Sequence, residues 1–314
     1  MMLTKLLPYD RPLPFKGKYE HDENYPLYIQ VITCRFKLKK DKIPTIQLKK
    51  NRAFVPTEYI EKSDLEPVTL VLTNVDLDLF YDQYIVEDEE FENGWKFQAH
   101  RGFFDEYLGH WGNIKETTEG APKISAKLMM NSLYGKFASR MELLGKYPVL
   151  DEKGIVRYKD LPPGEKDPVY TAMGAFITAY ARELTIRTAQ SVFHRFIYAD
   201  TDSIHLEGVE MPEIEVHKSK MGAWKHEGTF TRARFIRAKT YIEEMDGELH
   251  VTCAGMPKNV KKLVTWENFR ELNEGMLLPA RDGYYHGKLL PKGVPGGIVL
   301  KDTDFTIIKS KKAV

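Results

Sequence analysis

Hydrophobic and polar positions alternate in part over residues 27–38 (LYIQVITCRFKL), and residues 68–75 read in the same way. β-Branched and aromatic side chains lead both stretches, so both are expected to be strands. The first third of the chain therefore reads mostly as sheet. From Gly102 the period lengthens: Phe103, Phe104 and Tyr107 open one helical series, and Ile124, Leu128 and Leu133 carry a second. Residues 140–166 interrupt this with Gly145, Gly154 and Pro162-Pro163-Gly164 among charges, which predicts a hairpin or loop insertion. A long helix is expected over 170–188, followed by an apolar strand at Phe196-Ile197-Tyr198. Past Pro257 the pattern gives a helix at 265–273 and Gly/Pro-rich strands near 293–297. No internal repeat is visible. The class is α+β, assembled from several small units.

Composition narrows the picture. A chain of 314 residues with 42% hydrophobic side chains can bury a sizeable core. No run of eighteen apolar residues occurs, which excludes a membrane-spanning helix, and the start Met1-Met2-Leu3-Thr4-Lys5 lacks the apolar run of a secretory signal. Cys34 and Cys253 stand far apart without CxxC spacing, so neither a disulfide framework nor a cysteine zinc site is expected. The net charge of +1 does not advertise a polyanion partner. The distribution of charge says more: residues 35–52 are strongly basic, and 58–92 are acidic, ending in Glu87-Asp88-Glu89-Glu90. Such runs are either two solvated faces or a basic strand pair for a polyanion backbone beside an acidic patch for a protein partner.

Three constellations carry chemistry. Tyr198-Ala199-Asp200-Thr201-Asp202-Ser203 reads as a hairpin tip with two carboxylates two residues apart, which period-two geometry can point to one side. Crowded anions are costly without a cation, and oxygen donors suit Mg²⁺; the alternative is a solvated Asp-rich turn. In residues 127–135, a helix places Lys127, Asn131 and Tyr134 on one face with Leu128, Met129 and Leu133 toward the back. That stripe suits a triphosphate and a base, or else a solvated lysine with a tyrosine closing the helix. Over 232–242, read as a strand, Arg237, Lys239 and Tyr241 share one face, which suits a nucleic-acid backbone or an ordinary amphipathic edge strand.

In this order K-x-x-x-N-S-x-Y-G, Y-x-D-T-D-S and K-x-Y resemble the fingers, palm-metal and primer-contacting motifs of family B DNA polymerases. The resemblance is closer to the protein-primed polymerases of small tailed phages. It runs on through Leu6-Leu7-Pro8-Tyr9, Ile43-Pro44-Thr45-Ile46-Gln47, Asn74-Val75-Asp76-Leu77, Lys166-Asp167-Pro168-Val169-Tyr170, Cys253-Ala254-Gly255-Met256 and Val294-Pro295-Gly296-Gly297, and so covers nearly the whole chain. It implies a right-hand polymerase fragment with a palm sheet, two-helix fingers, a small thumb and two β-rich insertions. The implied divisions are a palm-helix remnant at 1–4, a first protein-priming insertion at 5–102, fingers at 103–140, a second insertion at 141–166, palm at 167–256 and thumb at 257–314.

By the same resemblance, Asp200 and Asp202 are the catalytic and metal-binding carboxylates, with Mg²⁺ as cofactor in a two-metal site. Lys115, Lys127, Asn131 and Tyr134 would line the nucleotide site. Gly135, Lys239, Tyr241 and the thumb lysines Lys258, Lys261 and Lys262 would touch DNA. The implied partners are primer-template DNA, a deoxynucleoside triphosphate and a terminal priming protein, in the cytoplasm of a bacterial phage host. One departure matters. The family's D-x-x-S-L-Y-P motif, which carries another metal-binding Asp, does not occur in these 314 residues, and Asp10 in its Asp-Arg-Pro context is a poor substitute. The expectation is the carboxy-terminal part of a polymerase, incomplete without an upstream segment on another polypeptide. The alternative is a remnant that binds DNA or terminal protein without catalysis.

Overall fold

The computed structural model describes residues 2–47, 59–63, 66–138, 142–143, 145–162, 164–165, 169–217, 220, 222–256, 258–269, 290–295 and 297–301. It is a mixed α+β chain of two compact units. The first comprises residues 1–52, 57–141 and 167–226, and the second comprises 53–56, 142–166 and 227–314.

In the first unit β1 (Leu7–Lys16), β2 (Leu27–Leu38), β3 (Val68–Thr73) and β4 (Tyr84–His100) form an antiparallel sheet in the order β1-β4-β2-β3. The strand expected over 68–75 stops at Thr73 because that residue caps a helix, α1 (Asn74–Gln83). Its Oγ1 accepts from the Asp76 amide at 3.1 Å and donates to the Asp76 carboxylate at 2.9 Å. The basic and acidic tracts meet in this sheet where they are described. Arg35 pairs with Glu87 in register and donates from Nε to Asp88 at 2.6 Å, so part of the charge segregation is complementarity between neighbouring strands. Both partners are exposed, and such a pair contributes about 0–1 kcal/mol.

One face of the sheet packs Ile32, Cys34, Phe36 and Leu70 against Leu77, Phe80 and Tyr84. The fully buried Tyr84 hydroxyl accepts from the amides of Thr45 and Ile46 and donates to Ile60 O, which pins both approaching segments. A second core joins Leu7, Leu27, Val75 and Phe97 to Met173, Phe176, Ile177 and Tyr180 of α4 (Thr171–Ser191), the helix expected over 170–188. Onto this core pack α2 (Asp105–Thr117) and α3 (Ala121–Phe137), tied together where the Tyr107 hydroxyl donates to Met129 O at 3.0 Å. The far end of α4 buries Ile186 and Ala189 against Ile43 and Leu79. Phe196 of β9 (Phe196–Asp200) and Ile204 of β10 (Ser203–Leu206) pack there too.

The second unit contains the interrupted region as two hairpin pairs, β5 (Glu142–Leu143) with β8 (Gly164–Glu165) and β6 (Lys146–Leu150) with β7 (Val156–Asp160). It also holds a meander of β11 (Arg232–Arg237), β12 (Thr240–Met245) and β13 (Glu248–Cys253), whose core Ile242 and Cys253 pack on Val260, Val264 and Phe269 beside the short α5 (Lys258–Lys261). The helix expected at 265–273 begins with Thr265 and Asn268 exchanging side-chain-to-amide hydrogen bonds at 2.7 and 3.2 Å, and its remainder lies outside the described residues. The Gly/Pro-rich end pairs β14 (Leu290–Val294) with β15 (Gly297–Lys301).

Candidate functional site

The hairpin β9–β10 turns in two residues, since Asp200 pairs directly with Ser203. Asp200 therefore ends β9 while Asp202 lies in the turn, and the period-two argument for one strand does not apply to the pair. A γ-turn takes its place. Thr201 adopts φ 53°, and the Asp202 amide donates to Asp200 O at 2.5 Å. The Thr201 hydroxyl donates to Asp200 Oδ1 at 3.0 Å and Ser203 Oγ to Asp200 O at 3.1 Å. From α4, the buried Thr185 hydroxyl donates to Thr201 O at 2.8 Å. Asp202 is exposed and Asp200 half-buried. Two carboxylates on one tight turn are the hard oxygen donors that Mg²⁺ takes, and they fit part of its shell. Among the described residues no group of three or more His, Cys, Asp or Glu could hold a metal ion.

On α3, Lys127 and Asn131 are exposed and Tyr134 is half-buried. The back of the helix differs from the expected one. Ala126 is fully buried and Met130, Leu133, Tyr134 and Phe137 pack on the core, whereas Leu128 is 66% exposed. The covered stripe runs through 126, 130, 133 and 137, which places Leu128 off it and Met129 at its margin. Tyr134 closes toward the core and still reaches α4 electrostatically. Arg182 forks onto the Asp76 carboxylate with bonds of 2.9 and 2.8 Å. Burial opposes its charge and the Asp76 fork outweighs that, so the guanidinium is held above the usual arginine range, with Tyr59 and Tyr134 in electrostatic reach. The Tyr59 hydroxyl is raised by burial, lowered by Arg182 and raised again by the Asp200 carboxylate. Tyr134 and Tyr59 thus lie within electrostatic reach of Arg182, and the Asp200 carboxylate within reach of Tyr59. Lys115 sits half-buried in the last turn of α2, and Gly135 is exposed near the end of α3.

Asp76, Arg182, Tyr59 and Thr185 were not singled out from sequence. Arg182 lies 106 residues from its carboxylate partner, inside a stretch legible only as helical composition. The T-x-x-D spacing at Thr73 and Asp76 was the one local signal available.

In the second unit, residues 232–242 are not one strand. They fold as the β11–β12 hairpin, with Arg237 opposite Thr240 and Lys239 in the turn at φ 55°. Tyr241 therefore stands across from Phe235, their rings 5.1 Å apart, on a different strand from Arg237, and Lys239 lies in the turn between the two strands. Lys239 is exposed at the tip and Tyr241 half-buried. Lys258 and Lys262 are exposed and Lys261 half-buried on and beside α5. Arg232 and Arg234 are committed elsewhere: both guanidinium groups lie over the Trp266 ring, at 4.2 and 4.9 Å from its centroid.

Comparison with known proteins gives one answer. The DNA polymerase of Bacillus phage phi29 is 46% identical over 327 residues, covering 98% of this chain and 55% of that protein. The DNA polymerase of Streptococcus phage Cp-1 is 38% identical over 320 residues, with 98% and 54% covered. A solved structure of phi29 DNA polymerase complexed with primer-template DNA and incoming nucleotide superposes with a TM-score of 0.88 at 46% identity, again over 98% of this chain and 55% of that one. The chain spans about half the length of the curated relatives it matches. Residues 1–221 match the family described as DNA polymerase type B, organellar and viral, and the chain belongs to that family.

Proposed function

We propose that this chain is the carboxy-terminal part of a DNA-directed DNA polymerase of protein-primed replication. In this reading it supplies the palm carboxylates, the fingers and the thumb for nucleotidyl transfer to a primer hydroxyl. The reading is supported by the match of 98% of this chain, at 46% identity, to the DNA polymerase of Bacillus phage phi29, and by the two carboxylates on the β9–β10 turn. Asp200 and Asp202 hold Mg²⁺; when bound, it supplies charge stabilisation to the attacking and leaving oxygens. Lys127 contacts the triphosphate as a point charge, Asn131 and Tyr134 line the nucleotide site, and Lys115 adds a second cation. Gly135 leaves room on α3 for close approach of DNA, since nothing lies within 4 Å of a Cβ built there. Lys239, Tyr241, Lys258, Lys261 and Lys262 hold the primer-template duplex. The two insertions, 5–102 and 141–166, face terminal protein and template, and a further polypeptide segment carrying D-x-x-S-L-Y-P completes the metal site.

The test is templated primer extension with Mg²⁺, with and without that segment in trans or fused. Extension is expected only with it and is abolished by Asp202→Asn. Comparable extension by the chain alone, sensitive to Asp202→Asn, shows that another carboxylate completes the site and overturns this account. The second reading, a chain that binds DNA or terminal protein without catalysis, is favoured by the lack of a three-group metal cluster among the described residues. DNA binding without extension in either arm establishes it.

A further inference from the structure

The carboxylate turn combines an unfavourable backbone conformation with a bond from outside the hairpin. Thr201 is β-branched, and its φ of 53° is a region such residues rarely enter. A two-residue turn of this kind persists only where its surroundings over-determine it. Within the hairpin the Thr201 hydroxyl is directed at Asp200 Oδ1 and the Asp202 amide at Asp200 O. The Thr201 carbonyl faces α4 and receives the Thr185 hydroxyl at 2.8 Å.

The source of that bond is unusual for its helix. Thr178, Thr188 and Ser191 return their hydroxyls to carbonyls of α4 itself three or four residues back, as helical Ser and Thr commonly do. Thr185 instead sends its hydroxyl across to another element. Thr185 is 6% exposed, between the buried Ile186, Thr188 and Ala189, so its rotamer has little freedom. It stands one turn from Arg182, whose fork onto Asp76 fixes the same stretch of α4 to α1.

We propose that Thr185 is a positioning residue for the carboxylate pair. Its hydroxyl locks the Thr201 peptide and thereby sets Asp200 and Asp202 for one divalent cation. The proposal rests on the reading of these two carboxylates as metal ligands. It assigns Thr185 no contact with substrate or metal. Groups that orient metal ligands from behind typically change metal affinity by about 10–100-fold when lost.

The test compares the intact chain with Thr185→Ser, which keeps the hydroxyl, and with Thr185→Val and Thr185→Ala, which remove it. Amide exchange at Asp202, the Thr201 backbone coupling constant that reports φ, and Mn²⁺ broadening of the Asp200 and Asp202 amide signals are read in each, with thermal melting as the control for folding. In the hydroxyl-free variants Asp202 exchange is expected to rise, and the Mn²⁺ midpoint to move up, by about tenfold or more, with the melting temperature nearly unchanged. Thr185→Ser is expected to match wild type. If Val and Ala leave exchange, coupling constant and Mn²⁺ midpoint at wild-type values, or if Ser behaves as they do, the positioning role is overturned. If wild type shows no saturable broadening at Asp200 and Asp202, the metal reading falls and the proposal with it. Exchange and coupling data still report the Thr185 bond in that case, so the two failures are distinguishable.

Discussion

Thr240 is fully buried and its hydroxyl has no hydrogen-bond partner among the described residues, so it carries a desolvation cost. Thr240→Val keeps the shape and removes the orphan group. The expected result is a gain of about 1 kcal/mol, seen as an upward shift of the unfolding midpoint in denaturant. Burial also pushes the Cys34 thiol up to about 11, with Glu89 adding to the effect. Native protein at pH 8 should leave Cys34 unmodified by iodoacetamide and expose it on unfolding, as peptide mapping would report. Asp151 shows the opposite shift. The amide of Ile155 and then the Arg157 guanidinium hold its carboxyl below the ordinary 3.8, and the Lys153 amide adds to this. Its folded value is the depressed one, so its contribution to the β6–β7 hairpin is complete above about 3.8 and is lost as pH falls through the lower folded value. An NMR titration of hairpin amides should show a transition below 3.8 that Asp151→Asn removes; a transition at or above 3.8 contradicts the assignment. At this scale the sequence made the motif residues legible, because Asp200, Asp202, Lys127 and Tyr134 stand in local patterns. The Asp76–Arg182 fork was hidden, since it forms only through the packing of α1 and α4.

At the scale of elements, the approach of α3 to α4 depends on a missing side chain. A Cβ at Gly174 would lie 3.0 Å from Phe137 O and 3.2 Å from Ala138 N, both backbone atoms that cannot rotate away. Gly174→Ala should therefore push the end of α3 off α4 and cost about 1–3 kcal/mol, measurable as a lower denaturant midpoint. A variant as stable as wild type would mean that the two helices separate freely. The element boundaries tell the same story about what sequence pattern carries. Strand β2 and helix α4 were legible because β-branched and aromatic side chains lead the 12 residues of the one and a helical composition runs through the 21 residues of the other. The β11–β12 hairpin was read as one strand because Ala238-Lys239 has none of the Gly, Asn or Asp that usually marks a two-residue turn, and Lys239 takes its positive φ without such a signal. The α3 stripe was mis-phased at Leu128 because α2 and the core cover only part of that helix, and periodicity alone does not say which part.

For the molecule as a whole, a net charge of +1 conceals the distribution on which DNA binding would rest. Within the second unit, Arg232 and Arg234 are absorbed by Trp266, whereas Lys239 is exposed at the β11–β12 tip and Lys258 and Lys262 are exposed beside the short helix α5. Val260 of that helix is fully buried against the core that also takes Ile242, so the α5 lysines are carried on a packed element. Each phosphate that such a cation neutralises releases counterions from the duplex. The logarithm of affinity for primer-template DNA should therefore fall linearly with the logarithm of salt concentration, with a slope of about −0.9 per contact. Lys239→Ala, Lys258→Ala and Lys262→Ala should each reduce the steepness by about one unit and weaken binding on all sequences alike. Arg232→Ala should instead lower the melting temperature through loss of its stacking on Trp266 and its pair with Glu244, leaving the salt slope intact. Fluorescence anisotropy between low and moderate salt, run on the four variants beside wild type, measures both quantities. An affinity independent of salt, or a slope that Arg232→Ala changes and the lysine variants do not, would show that the duplex is held elsewhere on the chain.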